Sequence, residues 1–234
     1  MAIPKTPSAA EDEALARVRE TGFLLRLPPQ LREAVLEGAD LVAYPAGGVA
    51  VYRDERWRPA LVAWGLVRSY LARVDDRQLT LVYHRLGDLV EVFRARGEMV
   101  SDGIQAIEPS GVLHLDGNRL ERLAKTHEEL AIALAEELRD RLAHAYRALA
   151  FQAFAPLRQR VAADLLERTG WVVDQPGEGV RVSAQELAEA TGSVREVVAR
   201  ALRQLRRDGV IGVERNRVVV LDPARLRREA TALS

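Results

Sequence analysis

Cysteine is absent from this sequence of 234 residues. The absence excludes disulfide bonds, thiolate metal sites, cysteine-ligated iron–sulfur clusters and cysteine nucleophiles. No apolar run comes near the length that spans a bilayer, and the N-terminal residues lack the basic-then-apolar order of a secretion signal. We therefore expect a cytoplasmic protein with no membrane partner.

Lysine is nearly absent as well, since only Lys5 and Lys125 stand among the 34 basic residues. Arginine suits bidentate contacts, although a GC-rich genome explains the same bias. Catalytic signatures are also lacking, because no Walker-type glycine loop, G-x-S-x-G elbow or H-E-x-x-H pattern occurs. Scattered carboxylates usually face solvent, so we expect neither an enzyme nor a metal site. In the alternative that the protein is an enzyme, the carboxylates and imidazole that could lie near one another are those of Glu91, Glu98, Asp102, Glu108 and His114.

The formal net charge of zero hides an asymmetry along the chain. From Arg181 to the C-terminus there are eleven arginines and seven acidic residues, so this segment carries a net charge of +4. A basic segment on a neutral protein indicates a local site for a polyanion. Apolar residues make up 48% of the chain, which is typical of a globular protein of one or two domains.

The N-terminal half begins with two segments of helical apolar spacing, 10–21 and 29–37, and the sequence pattern then changes. From Leu41 to about Leu115, short segments rich in Val, Leu and Tyr alternate with Gly, Pro and Asp. Regular short strands separated by turn residues are typical of an all-β barrel or sandwich. Within this region, VDDRQ (74–78) predicts a hairpin turn.

From about Thr126 to Ala155 the apolar spacing becomes that of one long helix. Small and apolar residues hold the a and d positions through about four heptads, as in a two-helix seam. One alternative is a single helix that lies on its own β domain, but its charged flanks favour a seam between two chains. The predicted seam consists of Ala131, Ala135, Leu138, Leu142, Ala145 and Leu149, with Gln152 next in the series.

The C-terminal part reads as helix, hairpin, helix, turn, helix, hairpin. The first helix follows Pro156 and ends near Gly170. In the central pair, Ser183 and Glu186 form a capping box at the start of one helix. Gly192 supplies the positive φ of the turn. Ser193 is predicted to cap the next helix, with Glu196 again three residues later.

The second helix of this pair carries an apolar stripe and a basic face. Arg195, Glu196 and Arg200 lie in its N-terminal half, which enters the major groove in a helix-turn-helix. Arginine can bond the O6 and N7 atoms of guanine, and glutamate can accept from the N4 amine of cytosine. A solvated arginine-rich helix is the alternative, but the caps, the glycine turn and the following hairpin together predict DNA binding. The stripe consists of Val194, Val197, Val198, Ala201, Leu202 and Leu205.

At this point the sequence resembles the Crp/Fnr family of bacterial transcription regulators, relatives of the cyclic-AMP receptor protein. The resemblance spans nearly the whole chain and is strongest over 183–221, where ATGSVREVVARALRQLRRDGVI is similar to the family's Gly turn followed by S-R-E-x-V-x-R-x-L. It implies an α+β fold with an N-terminal β-roll (a cyclic-nucleotide-binding-like jelly roll), a long dimerisation helix and a C-terminal winged helix-turn-helix. The implied domains are 1–126, 127–153 and 154–234.

The resemblance also implies the partners of the chain. Arg195, Glu196 and Arg200 match the family's reading triplet, which implies a homodimer on an inverted repeat of TGTGA-like half-sites in double-stranded DNA. RNA polymerase is a further partner that the family implies. Val194 and Val197 stand where polar residues are common, which puts some phosphate contacts in doubt. The other expected DNA contacts are Ser183, Gln185, Ser193, Arg203, Arg215 and Arg217.

The sensor half departs from the family's cyclic-nucleotide binders. Gly87 and Asp88 resemble the family's β-roll turn, and Glu91 can stand for the ribose-binding Glu, but Val90 replaces the Gly before it. A buried phosphate needs a cation and hydrogen-bond donors. The positions that depart around the phosphate and base are Glu98, Val100, Ser101, Asp102, Ala145 and Tyr146. The departures argue against cyclic AMP bound in the usual mode.

The effector therefore stays unknown at the level of sequence. A different effector and effector-independent DNA binding are both open, and iron–sulfur sensing is excluded by the lack of cysteine. A haem sensor is an alternative, although the histidines show no ligand spacing and structural roles are favoured. The candidate axial ligands are His84, His114, His127 and His144. An adaptor that lost DNA binding is argued against by the retained Arg195, Glu196 and Arg200.

Overall fold

A computed structural model describes residues 9–50, 58–73, 78–90, 100–170, 179–214 and 217–231. It confirms the predicted α+β class, with antiparallel sheets in the N-terminal half, a long helix, and a helix-turn-helix with a small sheet. Contacts divide the chain into a first unit (1–69 and 84–143) and a second unit (70–83 and 144–234). The three sequence-based domains at 1–126, 127–153 and 154–234 stay a prediction.

The elements of the described residues have the following bounds. The helices are α1 (Ala9–Arg19), α2 (Pro29–Leu36), α3 (Gly117–Thr126), α4 (Glu128–Phe154), α5 (Leu157–Arg168), α6 (Ala184–Ala190), α7 (Arg195–Arg207) and α8 (Pro223–Thr231), with a 3-10 turn at Gly22–Arg26. The strands are β1 (Asp40–Tyr44), β2 (Val49–Ala50), β3 (Ala60–Trp64), β4 (Val67–Arg73), β5 (Gln78–His84), β6 (Leu89–Val90), β7 (Val100–Ala106), β8 (Ser110–His114), β9 (Gly179–Val180), β10 (Ile211–Glu214) and β11 (Arg217–Val220).

The N-terminal strands form two four-stranded sheets, ordered β1-β8-β3-β6 and β2-β7-β4-β5. In the first sheet β8 pairs antiparallel with both β1 and β3. The β3 segment ALVA is buried throughout, because Leu61 and Ala63 face one apolar cluster and Ala60 and Val62 face another. A strand buried on both faces reads as a continuous apolar run rather than an alternation.

Two glycines fix the entry of the N-terminal helices onto this sheet. Gly22 and Gly87 both have positive φ, at 60° and 85°. The Phe23 N–H donates to the Gly87 carbonyl at 3.0 Å. A Cβ on Gly22 would lie 2.2 Å from the Gly87 oxygen, so the two backbones touch directly. Beside them, the Asp88 carboxylate accepts from the Arg85 N–H at 2.8 Å and closes the turn.

The helical region begins earlier than the sequence pattern predicts. A separate helix, α3, precedes the long one, and its N-cap Asp116 accepts from the N–H groups of Asn118 (2.9 Å) and Arg119 (3.1 Å). His127 adopts an extended conformation and separates α3 from α4. The prediction of a single helical pattern from Thr126 misses α3, because the Asp-Gly pair at its start is also a turn signal.

The second unit contains a helix-turn-helix core and a three-stranded sheet ordered β10-β11-β9. Fully buried leucines from three helices meet there, with Leu165 on α5, Leu187 on α6 and Leu205 on α7. From α8, Leu226 joins the same cluster. Most of the predicted turn at 74–78, Arg215, and 171–178 of the predicted hairpin lie outside the described residues. None of the helices in the described ranges is long and apolar enough to cross a membrane.

Candidate nucleic-acid interface

The first helix of the pair starts with the capping box that the sequence predicts. The Ser183 Oγ accepts from the Glu186 N–H at 3.1 Å, and the Glu186 carboxylate accepts from the Ser183 N–H at 2.7 Å. Two backbone N–H donors at the start of α6 are thereby satisfied by side chains within three positions of each other. The prediction for Ser183 and Glu186 is confirmed.

The turn between the two helices is closed by backbone and side-chain bonds. Gly192 has φ of 62°, the left-handed conformation that glycine adopts without steric cost. The Ser193 N–H donates to the Ala188 carbonyl at 2.9 Å. The hydroxyl of buried Thr191 donates to the Leu187 carbonyl at 2.6 Å. These bonds fix the direction in which α7 leaves the turn.

The second predicted capping box is wrong. The N-cap of α7 is Val194, whose side chain makes no cap hydrogen bond, and Ser193 stands one residue before it. The turn bond from the Ser193 N–H to Ala188 places the start of α7 one residue later than the pattern indicates. Glu196 consequently lies in the first turn of the helix, where the helix dipole favours a negative charge.

The α7 helix has a buried apolar face and an exposed polar face. Val198 and Leu205 are fully buried. Val194 and Val197 are 45% and 38% exposed, so the predicted apolar stripe is wrong at these two positions. They lie beside the turn, at the end of the helix that carries Arg195. An exposed pair of valines at this place can contact apolar groups of a partner, such as the methyl group of thymine.

The predicted reading residues lie on the exposed face of α7. Arg195, Glu196, Arg200 and Arg203 are all exposed. Within the described part of the chain, their side chains make no ion pair or side-chain hydrogen bond, and their positions leave the charged groups in solvent. An arginine that is not paired within its own chain can give both donor pairs of its guanidinium to a base or a phosphate.

The remaining predicted DNA contacts fall into different environments. Ser183 is exposed, but its oxygen serves the cap of α6. Gln185 donates from Nε2 to Glu189 at 2.9 Å. Arg217 is exposed on β11 and donates to the Gly179 carbonyl at 2.5 Å, which ties the predicted wing to β9. Arg215 lies outside the described residues.

A cluster around Arg158 supports the far end of α7. The Arg158 guanidinium donates to both oxygens of Glu229 on α8, at 2.9 and 2.6 Å, and also to Asp208. Its hydrogen bond with Glu229 raises the pKa of Arg158, and its hydrogen bond with Asp208 lowers the pKa of that carboxyl. Asp208 is the C-cap residue of α7. The cluster thus joins α5 and α8 to the end of the candidate reading helix.

A buried trio supports the helix-turn-helix from the side of β5. The Asp164 carboxylate accepts from the Tyr83 hydroxyl at 2.6 Å and from the Arg168 Nε at 2.7 Å. The Arg168 guanidinium also lies 5.5 Å from the centre of the Tyr83 ring. Burial disfavours the charge of Arg168, but Asp164 and Tyr83 outweigh it and raise its pKa. Nearby, Leu79 forms an isolated antiparallel bridge with Thr191.

The predicted seam lies on the exposed side of α4. Leu138, Leu142 and Leu149 are 42%, 58% and 67% exposed, and Ala131, Ala135 and Ala145 are exposed as well. A different face of the same helix buries Leu130 and Ala133 in the first unit. Near this side, the side chains of Arg141 and Glu137 pair at 3.0 Å. Helix α4 therefore uses one face within its own chain and leaves an apolar face in solvent.

The four histidines lie in separate surroundings. His84 is buried with its Nε2 2.8 Å from the Ser69 hydroxyl. The Nε2 of His114 lies 3.0 Å from the Tyr44 hydroxyl, and burial lowers the pKa of His114. His127, between α3 and α4, and His144, on α4, are both exposed. Among the described residues, no group of three or more His, Cys, Asp or Glu side chains could hold a metal ion.

The sensor positions that the sequence singles out are only partly described. Glu91 and Glu98 lie outside the described residues, and so do the side chains of Val100, Ser101 and Asp102. Ala145 and Tyr146 are both exposed on α4, with Tyr146 at 66%. Asp88 is half-buried, and burial raises the pKa of its carboxyl. Within the β-roll part of the predicted sensor pattern, the structure thus describes the turn at Gly87 and Asp88 and the buried Val90.

Comparison with known proteins gives one match to a domain within the second unit and one to a relative that covers most of the chain. A Crp-like helix-turn-helix domain model matches residues 159–229. The transcriptional regulator LdrP of Thermus thermophilus is 34% identical over 179 residues, which cover 71% of this chain and 84% of that protein.

Solved structures agree with this match. A transcriptional regulator of the CRP/FNR family from Thermus thermophilus is 29% identical, with a TM-score of 0.65, and the match covers 83% of this chain and 100% of the other. A Crp/Fnr-family protein from Eubacterium rectale has a TM-score of 0.74 at 19% identity, covering 91% of this chain and 99% of the other. The second likeness concerns the fold alone.

Proposed function

This chain belongs to the Crp/Fnr family of DNA-binding transcription regulators, and on that premise we propose that it binds an inverted repeat of TGTGA-like half-sites as a homodimer. The observation that carries the proposal is the exposed face of α7, where Arg195, Glu196 and Arg200 follow directly on the glycine turn. Its relatives are transcription regulators rather than enzymes.

The chemistry of the exposed face supports sequence-specific reading. Arg195 and Arg200 can each give a bidentate pair to guanine, and Glu196 can accept from cytosine. These side chains lie in the N-terminal half of α7, the part of a recognition helix that enters the major groove. Arg203 stands further along the helix, where a phosphate contact fits better than a base contact. Gln185, Ser183, Ser193 and Arg217 are proposed as neighbouring phosphate contacts.

The homodimer is supported by the exposed side of α4. Leu138, Leu142 and Leu149 lie on it with the small residues of the same heptad series, and an exposed apolar stripe of this kind marks an interaction surface. A two-fold dimer would present two α7 helices to successive major grooves about 34 Å apart. This arrangement explains why the proposed operator is an inverted repeat.

The proposed effector is something other than cyclic AMP, or none. The support is that, where the resemblance places hydroxyl side chains near the base, Ala145 has no hydroxyl and Tyr146 has one only at the far end of a large ring. The second candidate function is a regulator that binds DNA only when haem or another small molecule is bound to it. Fluorescence anisotropy of the ligand-free protein on the inverted repeat, with and without cyclic AMP and at two salt concentrations, distinguishes these cases. We expect binding that cyclic AMP leaves unchanged.

Replacement of Arg195 tests the proposed reading helix. Arg195→Ala should weaken binding to the inverted repeat by about 1–3 kcal/mol and relax the preference at one base pair of each half-site. Arg228→Ala on α8 removes the same charge from the same unit and is the control. Selection from random DNA measures the preference. An unchanged preference with Arg195→Ala would show that α7 does not read the sequence.

A further inference from the structure

The second unit contains a cavity that the DNA-reading surface does not use. Its volume is about 410 Å³, within the range of roughly 300–1,000 Å³ that is usual for small-molecule sites. The walls come from β5, the second half of α4, α5, the end of α6 and the last turn of α8. Leu81, Phe151 and Ala163 supply apolar and aromatic surface on three of these walls. A cavity of this size with mixed walls suits an organic molecule better than a single water.

Arg160 is the polar group of this cavity that its own chain leaves incompletely satisfied. Its guanidinium donates from Nη1 to the Thr191 carbonyl at 2.9 Å and to the Gln152 side chain. The buried Nε–H has no hydrogen-bond acceptor. Within the described ranges no carboxylate pairs with Arg160, and burial without such a partner lowers its pKa. Arg160 is partly buried, and a partly buried cation without a carboxylate partner is stabilised by an anion that compensates its charge.

The other charged groups of the cavity leave Arg160 as its anchor for an anion. Asp164 is already engaged by Tyr83 and Arg168, as described above. Arg147 is exposed at the wall, and its Nη2 lies 3.1 Å from the His144 Nδ1. Glu167, the other carboxylate of the lining, would repel an anion that approached its side, so the charge of a ligand belongs beside Arg160.

We propose that this cavity binds a small organic anion with a flat apolar body, whose acidic group pairs with Arg160 and whose body packs on Phe151 and Leu81. This site is separate from the sensor pattern around Gly87 and Asp88. The walls include Thr191, next to Gly192 of the turn, and Arg160 is bonded to its carbonyl. On the basis of the proposed function, we infer that a bound anion alters the affinity for DNA through α5 and this turn. Such a coupling is reciprocal, so DNA would change the affinity for the anion by the same factor.

Anilinonaphthalene sulfonate, a fluorescent aromatic anion, is the probe for the site. The full-length protein is titrated with it, and the DNA affinity is then measured with and without saturating probe. Arg160→Gln removes the charge and keeps much of the shape, and Ala163→Leu fills the cavity from α5. Arg228→Gln is the matched control, because it removes an exposed arginine of the same unit that lies outside the cavity and has no proposed DNA contact. Thermal unfolding with each variant verifies that the fold is intact.

We expect saturable fluorescence enhancement with one site per chain. Probe binding should be about tenfold weaker in Arg160→Gln and Ala163→Leu, which corresponds to ~1.4 kcal/mol, and unchanged in Arg228→Gln. Equal probe binding by all three variants, or no saturable binding, would overturn the site. Saturable binding that leaves the DNA affinity unchanged would overturn the coupling. Because the fluorescence is read without DNA, failure of the proposed operator binding leaves this test intact.

Discussion

Helices α4 and α7 are built alike on one side and differently on the other. Each buries apolar residues against its own unit, with Leu130 of α4 and Leu205 of α7 fully buried. On another face α4 exposes leucines, among them Leu149 at 67%, whereas α7 exposes Arg195 and Arg200. The buried side holds the helix in the fold, and the chemistry of the exposed side indicates what the helix meets.

The difference shows why amphipathic spacing alone does not assign a role to a helix. An apolar exposed stripe is stabilised when a second apolar surface covers it. A row of solvated arginines is stabilised when a polyanion releases its counterions on binding. The same protein therefore carries one surface suited to another protein helix and one suited to DNA.

The largest effect should follow from a charge placed in the α4 stripe. Leu142→Asp should yield monomers, since a carboxylate at this seam position would be desolvated between the two helices. A monomer holds one half-site, so the affinity for the inverted repeat should fall on the order of 100-fold, given ~1–3 kcal/mol for each base pair no longer read. Sedimentation analysis measures the mass, and anisotropy measures the DNA affinity.

Ala143→Asp provides the control for this change. Ala143 is exposed on the next position of α4 and lies outside the heptad series, so the same charge should leave the dimer intact. A Leu142→Asp protein that still sediments as a dimer would refute the seam on α4.

A leucine-to-alanine change on the buried face of α7 and one on the exposed face of α4 should have different effects on the free energy of unfolding. Leu205→Ala creates a cavity in the core of the second unit and should lower the free energy of unfolding by about 2–5 kcal/mol. Leu149→Ala removes an exposed side chain and should change that free energy by less than about 0.5 kcal/mol per monomer. Urea unfolding at several protein concentrations measures both. If Leu149→Ala cost as much as Leu205→Ala at low concentration, the α4 stripe would be part of the monomer core.

The arginines of α7 should divide into base readers and phosphate contacts. Arg203→Gln should weaken binding to all DNA sequences alike and reduce the salt dependence of the binding constant by about one unit of slope. Arg195→Ala, in contrast, should change the sequence preference. Titrations at several salt concentrations with specific and scrambled DNA measure the slope. A change of base preference in Arg203→Gln would assign this residue to the readers instead.

The smallest effect concerns the caps of the two helices of the pair. Ser183→Ala removes the cap of α6 and should lower the free energy of unfolding by about 1 kcal/mol. Ser193→Ala should have almost no effect on the stability of α7, because Ser193 makes no cap bond in the structure. Thermal or urea unfolding measures the change in the free energy of unfolding of each variant. Equal losses would mean that Ser193 does cap α7.

Local chemistry explains which features are predictable from the sequence. The Ser183 capping box and the Gly192 turn are predictable because their partners stand within a few residues. The prediction for Ser193 is wrong because the start of α7 depends on a turn bond to Ala188, which no cap pattern contains. The start of α3 at Asp116 is not predicted from the sequence, because an Asp-Gly pair is typical both of turns and of helix N-caps.

Features that join distant parts of the chain have no sequence signal. The Tyr83 hydroxyl and the Asp164 carboxylate are 81 positions apart, and neither residue type at its position indicates a buried partner. The cavity beside Arg160 likewise depends on five elements that come together only in the fold. Periodicity predicts the face of α4 but not the exposure of Val194 and Val197 on α7, because the end of a helix is only partly covered by its neighbours.

The contact between Gly22 and Gly87 limits how this chain can vary. Both positions need a left-handed backbone and both lack room for any side-chain atom, so neither can be exchanged without moving the N-terminal helices off the sheet. Gly38 and Gly47 also have positive φ but face open space, so asparagine could replace them at modest cost. In a library of variants selected only for folding, two glycines should therefore stay invariant together while two others drift.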